Sequence, residues 1–313
     1  MANQSLKDLL KYKLVWVIIF LIITNLVAIF FIFRINSQPS SENFYSFLNP
    51  ARKYFHQEDA IVDIQPLRDE LNKLGINPNI SIYFEYLNTG ANISVNKDAE
   101  FFPASLLKLP VALAAVKKIQ DGQWQWNNEL VLMRSDKDEG FGDLYKQEIG
   151  TRLTIEQLVT LSLVKSDNTA YRILLRNIDP AEVERVQRGL GIEELFFDDG
   201  DISAKRYSVI FRSLYNSSFL SEVNSQKILS IMAQVGFTDY LASGLPKNTL
   251  FSHKIGASSE KGVYLDSGIV YLKNRPYLLT VMMRTSDEAE AREIMKRTSS
   301  AIYDYISNYS IKE

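Results

Sequence analysis

A serine and a lysine stand three positions apart, at Ser105 and Lys108, where an apolar helix is predicted to begin. Residues three apart share a face of a helix, so the amine of Lys108 can lie beside the hydroxyl of Ser105. A serine hydroxyl becomes an effective nucleophile when a neighbouring base takes its proton. Lysine can serve as that base if burial or a nearby cation lowers its pKa, and the surrounding leucines and phenylalanines would supply the burial. The alternative is a helix-capping serine beside a solvated lysine, and the pair alone fits both.

The composition narrows the chemistry that is open to the chain. It has 313 residues, 46% of them hydrophobic, and a formal net charge of −2, so it lacks the basic surplus that binds nucleic acid. It contains no cysteine, which excludes thiolate catalysis, disulfides and cysteine-ligated zinc. Its two histidines, His56 and His253, offer at most one base for a serine–histidine triad, and no Gly-x-Ser-x-Gly elbow is present. A hydrolase built from this chain would therefore use lysine as its base, and no metal or other cofactor is predicted.

Apolar periodicity and turn residues divide the chain into predicted helices and strands. The helices are predicted at 65–74, from the Ser105 segment to about 120, from 154 to about 165, from 169, and at 180–189, 204–214 and 287–308. The strands are predicted at 80–87, 91–95, 251–256, 262–272 and 277–283. This order predicts an α+β domain with an antiparallel sheet built from both ends of the chain and a helical subdomain inserted between them. Pro110 is expected past the first turn of its helix, where it would leave one carbonyl unpaired and bend the helix.

A long apolar segment precedes this domain. Residues 14–33 are apolar except for Thr24 and Asn25, and twenty helical residues span about 30 Å, the thickness of the hydrocarbon core of a membrane. Three lysines before the segment favour a cytoplasmic N-terminus, and no small-x-small cleavage site follows it, so an uncleaved anchor is favoured over a signal peptide. The predicted organisation is a cytoplasmic tail at 1–13, a transmembrane anchor at 14–33, a juxtamembrane linker at 34–63 and a folded domain at 64–313.

Two more short motifs follow the serine–lysine pair along the chain. One is Ser166-Asp167-Asn168, between two predicted helices, and the other is Lys254-Ile255-Gly256, followed on the next strand by Ser267-Gly268-Ile269-Val270-Tyr271. Together with the first pair they resemble the S-x-x-K, S-D-N and K-T-G signatures of the serine β-lactamase and penicillin-binding protein superfamily, and class A β-lactamases most closely. The resemblance runs from about residue 65 to the C-terminus. It implies the β-lactamase/transpeptidase-like fold, in which sheet and helical subdomain together hold the site.

The resemblance also implies a catalytic role for three residues. Ser105 would be the nucleophile that becomes acylated, and Lys108 would hold or remove its proton. Ser166 would relay a proton toward the leaving nitrogen. Lys254 would add a second positive charge near the same serine, and two neighbouring cations lower each other's pKa.

The remaining matching positions are implied to bind the substrate. Asn168 would hydrogen-bond Lys108 or the side-chain amide of the substrate, and Lys254 would attract the substrate carboxylate. The backbone N–H groups of Ser105 and Ala257 would form an oxyanion hole. The substrate-binding residues expected from the resemblance are Asn168, Lys254, Gly256, Ala257 and Ser258.

Two features depart from the class A pattern. Ile255 replaces the threonine whose hydroxyl helps to bind the substrate carboxylate, and Ser258 or Ser259 is the alternative donor. The Glu-x-x-Leu-Asn signature is missing between the second and third motifs, and that segment is shorter by about one loop. The glutamate of that signature activates the water that clears the acyl-enzyme. Glu193 and Glu194 lie in the right region, but a helix end that runs into a solvated acidic turn is the simpler interpretation of this stretch.

These observations lead to two hypotheses for the function. The first is an acyl-serine hydrolase anchored in the bacterial cytoplasmic membrane, with its catalytic domain outside. It would act on β-lactams or on the D-Ala-D-Ala-type stem peptides of peptidoglycan, with slow deacylation because the loop glutamate is missing. The alternative is a non-hydrolytic penicillin- or peptidoglycan-binding or sensor module on the same fold. Ile255 and the short loop favour the second hypothesis. The intact residues of the first two motifs favour the first, and these are Ser105, Lys108, Ser166 and Asn168.

Overall fold

The structure is a computed structural model, and it describes residues 24, 47–48, 61, 63–192 and 200–309. The predicted tail, the anchor apart from Thr24, and most of the linker lie outside the described residues. Within the described ranges no helix is both long and apolar enough to cross a membrane. The anchor at 14–33 therefore stays a prediction.

An antiparallel sheet of five strands forms the centre of the domain. Its strands are β1 (Ile80–Tyr86), β2 (Ala91–Val95), β7 (Phe251–Ser258), β8 (Val263–Val270) and β9 (Tyr277–Arg284). They lie in the order β2-β1-β9-β8-β7, so the first strand of the domain pairs with the last. Two short ribbons are added by β3 (Glu100–Phe101) with β6 (Ile202–Ser203), and by β4 (Glu129–Val131) with β5 (Arg152–Thr154). The prediction of an antiparallel sheet built from both ends of the chain is confirmed.

Eight α-helices accompany the strands in the described part of the chain. They are α1 (Gln65–Asn72), α2 (Lys108–Gln120), α3 (Ile155–Val164), α4 (Asn168–Asn177), α5 (Pro180–Leu190), α6 (Ala204–Tyr215), α7 (Glu222–Met232) and α8 (Glu288–Asn308). Most begin at a residue whose side-chain oxygen accepts a backbone N–H of the first turn, the usual N-cap. These caps are Thr154, Asp167, Asp179, Ser203, Ser221 and Asp287. Helices α2 to α7 lie between the two groups of strands in sequence, which confirms the inserted helical subdomain.

Both faces of the sheet are covered. Alternate residues such as Phe84 pack with α1 and α8, where Met295 is fully buried. The residues between them face α6, and Thr280 of β9 lies 2.8 Å from Ser208 of that helix, measured between their hydroxyl oxygens. Strand side chains alternate between faces, and residues that pair across strands share a face. Lys254 of β7 pairs with Ser267 of β8, which pairs with Thr280 of β9. The alternation therefore directs Lys254 to the face that carries the helical subdomain.

Helix α2 begins later than its apolar pattern indicates, because a 3₁₀ turn at Ala104–Leu107 precedes it. Pro110 is the third residue of α2, so its predicted position past the first turn is wrong. First-turn N–H groups have no helical partner in any case, and proline is tolerated there. Pro110 has no N–H to donate to the carbonyl of Leu106, four residues before it. That carbonyl instead accepts a hydrogen bond of 3.0 Å from the hydroxyl of Tyr207. This contact fixes the start of α2 against α6.

Candidate active site

Ser105 stands on the 3₁₀ turn, between β3 and α2. The residue before it, Ala104, has a φ of 45°, a conformation that costs a non-glycine residue about 1 kcal/mol or more. Strand β7 runs directly against this turn. A Cβ on Gly256 would lie 2.9 Å from the carbonyl oxygen of Pro103 and 3.1 Å from Leu106 Cγ, so only glycine permits this approach. The missing side chain at position 256 therefore brings the edge of β7 next to the serine.

Ser166 occupies the tip of the turn between α3 and α4. It has a φ of 52°, again in the left-handed region. The next residue, Asp167, is 2% exposed and caps α4 by accepting the N–H of Ala170 at 2.9 Å. Its second oxygen accepts the N–H groups of Asp143 at 2.8 Å and Leu144 at 2.9 Å. One buried carboxylate thus shapes the Ser166 turn and holds the 138–144 loop against it.

Four polar side chains from the three motifs meet between these elements. Lys108 Nζ lies 2.6 Å from Ser105 Oγ and 3.3 Å from Ser166 Oγ. Lys254 Nζ lies 2.9 Å from Ser166 Oγ and 3.2 Å from the carbonyl oxygen of Ile255. A continuous path of hydrogen bonds therefore joins Ser105, Lys108, Ser166 and Lys254. Both amines are buried, with 4% of Lys108 and 1% of Lys254 exposed.

Burial changes the proton affinity of both lysines. It lowers the pKa of Lys108 to about 8, against the opposing effect of the Asp167 and Asp138 carboxylates. At pH 7 a pKa of 8 leaves about a tenth of the amine unprotonated, roughly 300 times more than at the ordinary pKa of 10.5. Burial, and then the charge of Lys108, hold the pKa of Lys254 well below its usual range. Lys108 thus meets the two requirements of a base, contact with the hydroxyl and a lowered pKa.

Asn168 is the first residue of α4, and its amide group faces the loop opposite. Its Nδ2 donates to Asp138 Oδ1 at 2.9 Å, and its backbone N–H donates to the carbonyl of Phe141 at 2.9 Å. The hydrogen bonds of Lys108 within the described ranges go to the two serines, so Lys108 is not the observed partner of Asn168. Asp138 contacts the candidate site through Asn168, and the sequence motifs miss it because nothing in its local pattern marks it.

Residues of all three motifs line, or lie next to, a cleft of about 700 Å³. Ser105, Ser166 and Asn168 line it together with Ala257, Ser258 and Ser259 at the end of β7. Other side chains that line it are Phe141, Phe237, Asp239, Tyr240, Ile255, Glu260, Tyr264, Glu288 and Arg292. The predicted binding residues Lys254 and Gly256 lie beneath this surface, and Lys254 reaches the cleft through Ser166.

The residues predicted to replace the missing threonine hydroxyl lie at the cleft, whereas the candidates for the missing loop glutamate are not in the part of the chain that the structure describes. Ser258 and Ser259 both line the cleft, next to Ile255. Glu193 and Glu194 lie outside the described residues. None of the carboxylates in the described part of the chain hydrogen-bonds to Ser105, Lys108 or Ser166.

The fold and the lysine–serine path are those of the serine β-lactamase and penicillin-binding protein superfamily. Within it, the chain belongs to the β-lactamase enzyme family, whose model matches residues 66–306.

Three similar proteins illustrate the range of this superfamily. The β-lactamase VEB-1 of Pseudomonas aeruginosa is 26% identical over 263 residues, which cover 76% of this chain and 87% of VEB-1. The β-lactamase regulatory protein BlaB of Streptomyces cacaoi is 30% identical over 133 residues, 42% of each chain. The solved structure of PBP-A superposes with a TM-score of 0.72 at 22% identity, and the match covers 79% of this chain and 97% of PBP-A. This likeness to PBP-A shows the shared fold.

Proposed function

We propose that the protein is an acyl-serine enzyme that reacts through Ser105 with β-lactams or with D-Ala-D-Ala-type cell-wall peptides. The observation that carries the proposal is the 2.6 Å contact between Lys108 Nζ and Ser105 Oγ, made by an amine whose pKa is lowered to about 8. Two similar proteins support the substrate class. VEB-1 is a β-lactamase, and a PBP-A variant has been solved as an acyl-enzyme complex with penicillin G.

In the proposed acylation step, unprotonated Lys108 takes the proton of Ser105 while Oγ attacks the carbonyl carbon of the substrate. The backbone N–H groups of Ser105 and Ala257 would stabilise the oxyanion, since preorganised donors are worth about 10²–10³ in rate in a serine protease. Ser166 would then give its proton to the departing nitrogen as the C–N bond breaks. Lys108 returns a proton to Ser166, to which it is already hydrogen-bonded at 3.3 Å.

The proposed acyl-enzyme is cleared slowly. The sequence between the second and third motifs lacks the Glu-x-x-Leu-Asn signature. Within the described ranges no carboxylate hydrogen-bonds to Ser105, Lys108 or Ser166, and this supports slow activation of water. Slow clearance favours a penicillin-binding peptidase or a slow β-lactamase over a fast one.

The proposal predicts a long-lived covalent label. The full-length chain is mixed with a fluorescent penicillin, and the label on the protein is followed by denaturing electrophoresis and mass spectrometry over several hours. We expect stoichiometric labelling that Ser105→Ala abolishes, followed by slow loss of label. Rapid loss with release of hydrolysed penicillin would contradict slow deacylation, and the absence of any covalent label would contradict the enzymatic proposal.

A second candidate is a binding or sensor module that holds β-lactams or peptidoglycan fragments without acylation. Ile255, which offers no hydroxyl in the cleft, favours it, and the partial match to a regulatory protein adds support. The same experiment separates the two candidates. Binding without acylation gives saturable, reversible fluorescence that Ser105→Ala leaves in place.

We also propose that residues 14–33 anchor the protein in the cytoplasmic membrane, with the catalytic domain outside. The chain has no cysteine, so a single introduced cysteine reports its own location. In intact bacterial cells, a membrane-impermeant maleimide should label Ser286→Cys, at an exposed position, and should spare Ser5→Cys until the cells are lysed. Labelling of Ser5→Cys in intact cells, or protection of Ser286→Cys, would contradict this orientation.

A further inference from the structure

Asp138 makes more contacts than an ordinary surface carboxylate. Its Oδ1 accepts hydrogen bonds from Asn168 Nδ2 at 2.9 Å and from the N–H of Gly140 at 2.8 Å. Its Oδ2 lies 2.6 Å from a guanidinium nitrogen of Arg172, and only 16% of its side chain is exposed. Three donors therefore hold this carboxylate at the edge of the cleft, where Asn168 and Gly140 both contribute to the lining.

The backbone of Asp138 is bound to the same helix as its side chain. Its N–H donates to Thr169 Oγ1 at 3.0 Å, and the Thr169 hydroxyl lies 3.3 Å from its carbonyl oxygen. Residues 168, 169 and 172 all belong to the start of α4. A Cβ on Gly140 would come within 3.0 Å of Asp138 Oδ1 and 3.2 Å of Asn168 Nδ2, so the loop is closely packed here. Contacts from both backbone and side chain define one geometry for Asp138.

A carboxylate in this position determines which end of the Asn168 side-chain amide, NH₂ or carbonyl, faces the loop. An ionised carboxylate only accepts hydrogen bonds, so it selects the NH₂ end of the amide and disfavours the carbonyl end. One N–H of Asn168 and its carbonyl oxygen then remain for other partners. We propose that Asp138 is a positioning residue of the acylation site, which fixes the amide of Asn168 so that these remaining groups serve the side-chain amide of the substrate. This inference rests on the proposed acyl-serine function.

The charge of Asp138 acts on the site as well. Among the described residues, the titratable groups that act on Lys108 or lie beside it are Lys254 on β7, Asp167 at the N-cap of α4, Tyr171 within that helix, and Asp138 on the loop. Asp138 and Asp167 both oppose the burial that lowers the pKa of Lys108. Removing the charge of Asp138 therefore moves the pKa of Lys108 further down, and the rising limb of the acylation profile should move to lower pH.

The test measures acylation rates of the full-length chain by competition of unlabelled β-lactams with a fluorescent penicillin. Asp138→Ala, which removes the acceptor of the Asn168 amide, should lower the acylation rate about tenfold for benzylpenicillin, the value of one well-formed hydrogen bond. It should lower the rate much less for penicillanic acid, a β-lactam without a side-chain amide. Asp121→Asn, at a half-exposed carboxylate that pairs with Lys117 away from the cleft, should change either rate by less than about twofold.

Two further measurements separate positioning from a loss of folding. In the double variant with Asn168→Ala, the Asp138→Ala change should cost little more, because both substitutions remove the same hydrogen bond. The midpoint of thermal unfolding identifies any variant that is simply less stable. Wild-type rates for Asp138→Ala, equal losses for the two β-lactams, or additive losses in the double variant would overturn the inference while the proposed function stands. A wild-type chain that is not acylated would overturn both.

Discussion

Replacement of Lys108 by alanine is expected to lower the rate at which a fluorescent penicillin labels Ser105 by about three orders of magnitude. A positioned general base contributes about 10²–10⁴ in rate. Lys108 is the amine in direct contact with Ser105 Oγ, and the second amine, Lys254, is hydrogen-bonded to Ser166 instead. The variant should therefore retain its fold and its cleft but leave Ser105 without a base. The second-order rate constant of labelling, measured beside the thermal unfolding curve, checks this.

The pH profile of the same reaction distinguishes a base from a fixed charge. Lys108 acts as a base only when it is unprotonated, and its pKa is lowered to about 8. The wild-type rate should therefore rise with pH and level off above about 8, and the alanine variant should lose this limb. Lys108→Arg separates the effect of the charge from the effect of the base, because a guanidinium keeps the positive charge but cannot be deprotonated in a protein. It should be as slow as the alanine variant.

A matched control lies on the same helix. Lys117 is a half-exposed residue of α2 that pairs with Asp121 at its surface. Lys117→Ala makes the same chemical change without touching the cleft, so its labelling rate should stay within about twofold of wild type. A Lys108→Arg variant that retained both the rate and its pH dependence would refute the assignment of Lys108 as the base.

The strands of the sheet could be predicted because buried β-branched and aromatic residues mark them, but not all of their ends could be. The sequence predicts that β7 ends at Gly256, because small and polar residues follow the apolar ones there. The structure continues this strand to Ser258, since Ala257 and Ser258 pair with Tyr264 and Val263 of β8. The strand is extended by its pairing with β8, and this pairing leaves no signal in the sequence of β7 itself. The extension matters because these last residues line the cleft.

The centre of the site could be predicted from residue types, whereas its support could not. Ser105, Lys108, Ser166 and Lys254 stand in motifs whose spacing marks them, and the structure brings all four together. Asp138 lies thirty positions before Asn168, in a loop without periodicity, and only the packing of that loop on α4 joins them. The error at Pro110 has a similar origin, because a 3₁₀ turn and an α-helix place apolar residues at nearly the same spacing.

Replacement of Asp167 by alanine is expected to lower the free energy of unfolding by about 3–5 kcal/mol. Its carboxylate accepts three backbone N–H groups, from Ala170 within α4 and from Asp143 and Leu144 across the loop. Alanine would leave them without an acceptor, and a buried unsatisfied donor costs about 1–3 kcal/mol. The loss of the N-cap accounts for about 1 kcal/mol of this total. Urea unfolding followed by circular dichroism measures the change.

A second N-cap separates the effect of capping from the effect of burial. Asp179 begins α5 as Asp167 begins α4, but it is exposed and accepts a single N–H, from Ala181 at 2.9 Å. Asp179→Ala should therefore cost only about 1 kcal/mol. Asp167→Asn, which keeps one acceptor oxygen, should fall between the two alanine variants. Equal losses at positions 167 and 179 would mean that the loop contacts of Asp167 add nothing to its cap. A larger loss at 167 would identify the aspartate between Ser166 and Asn168 as the residue that holds the loop and the turn together.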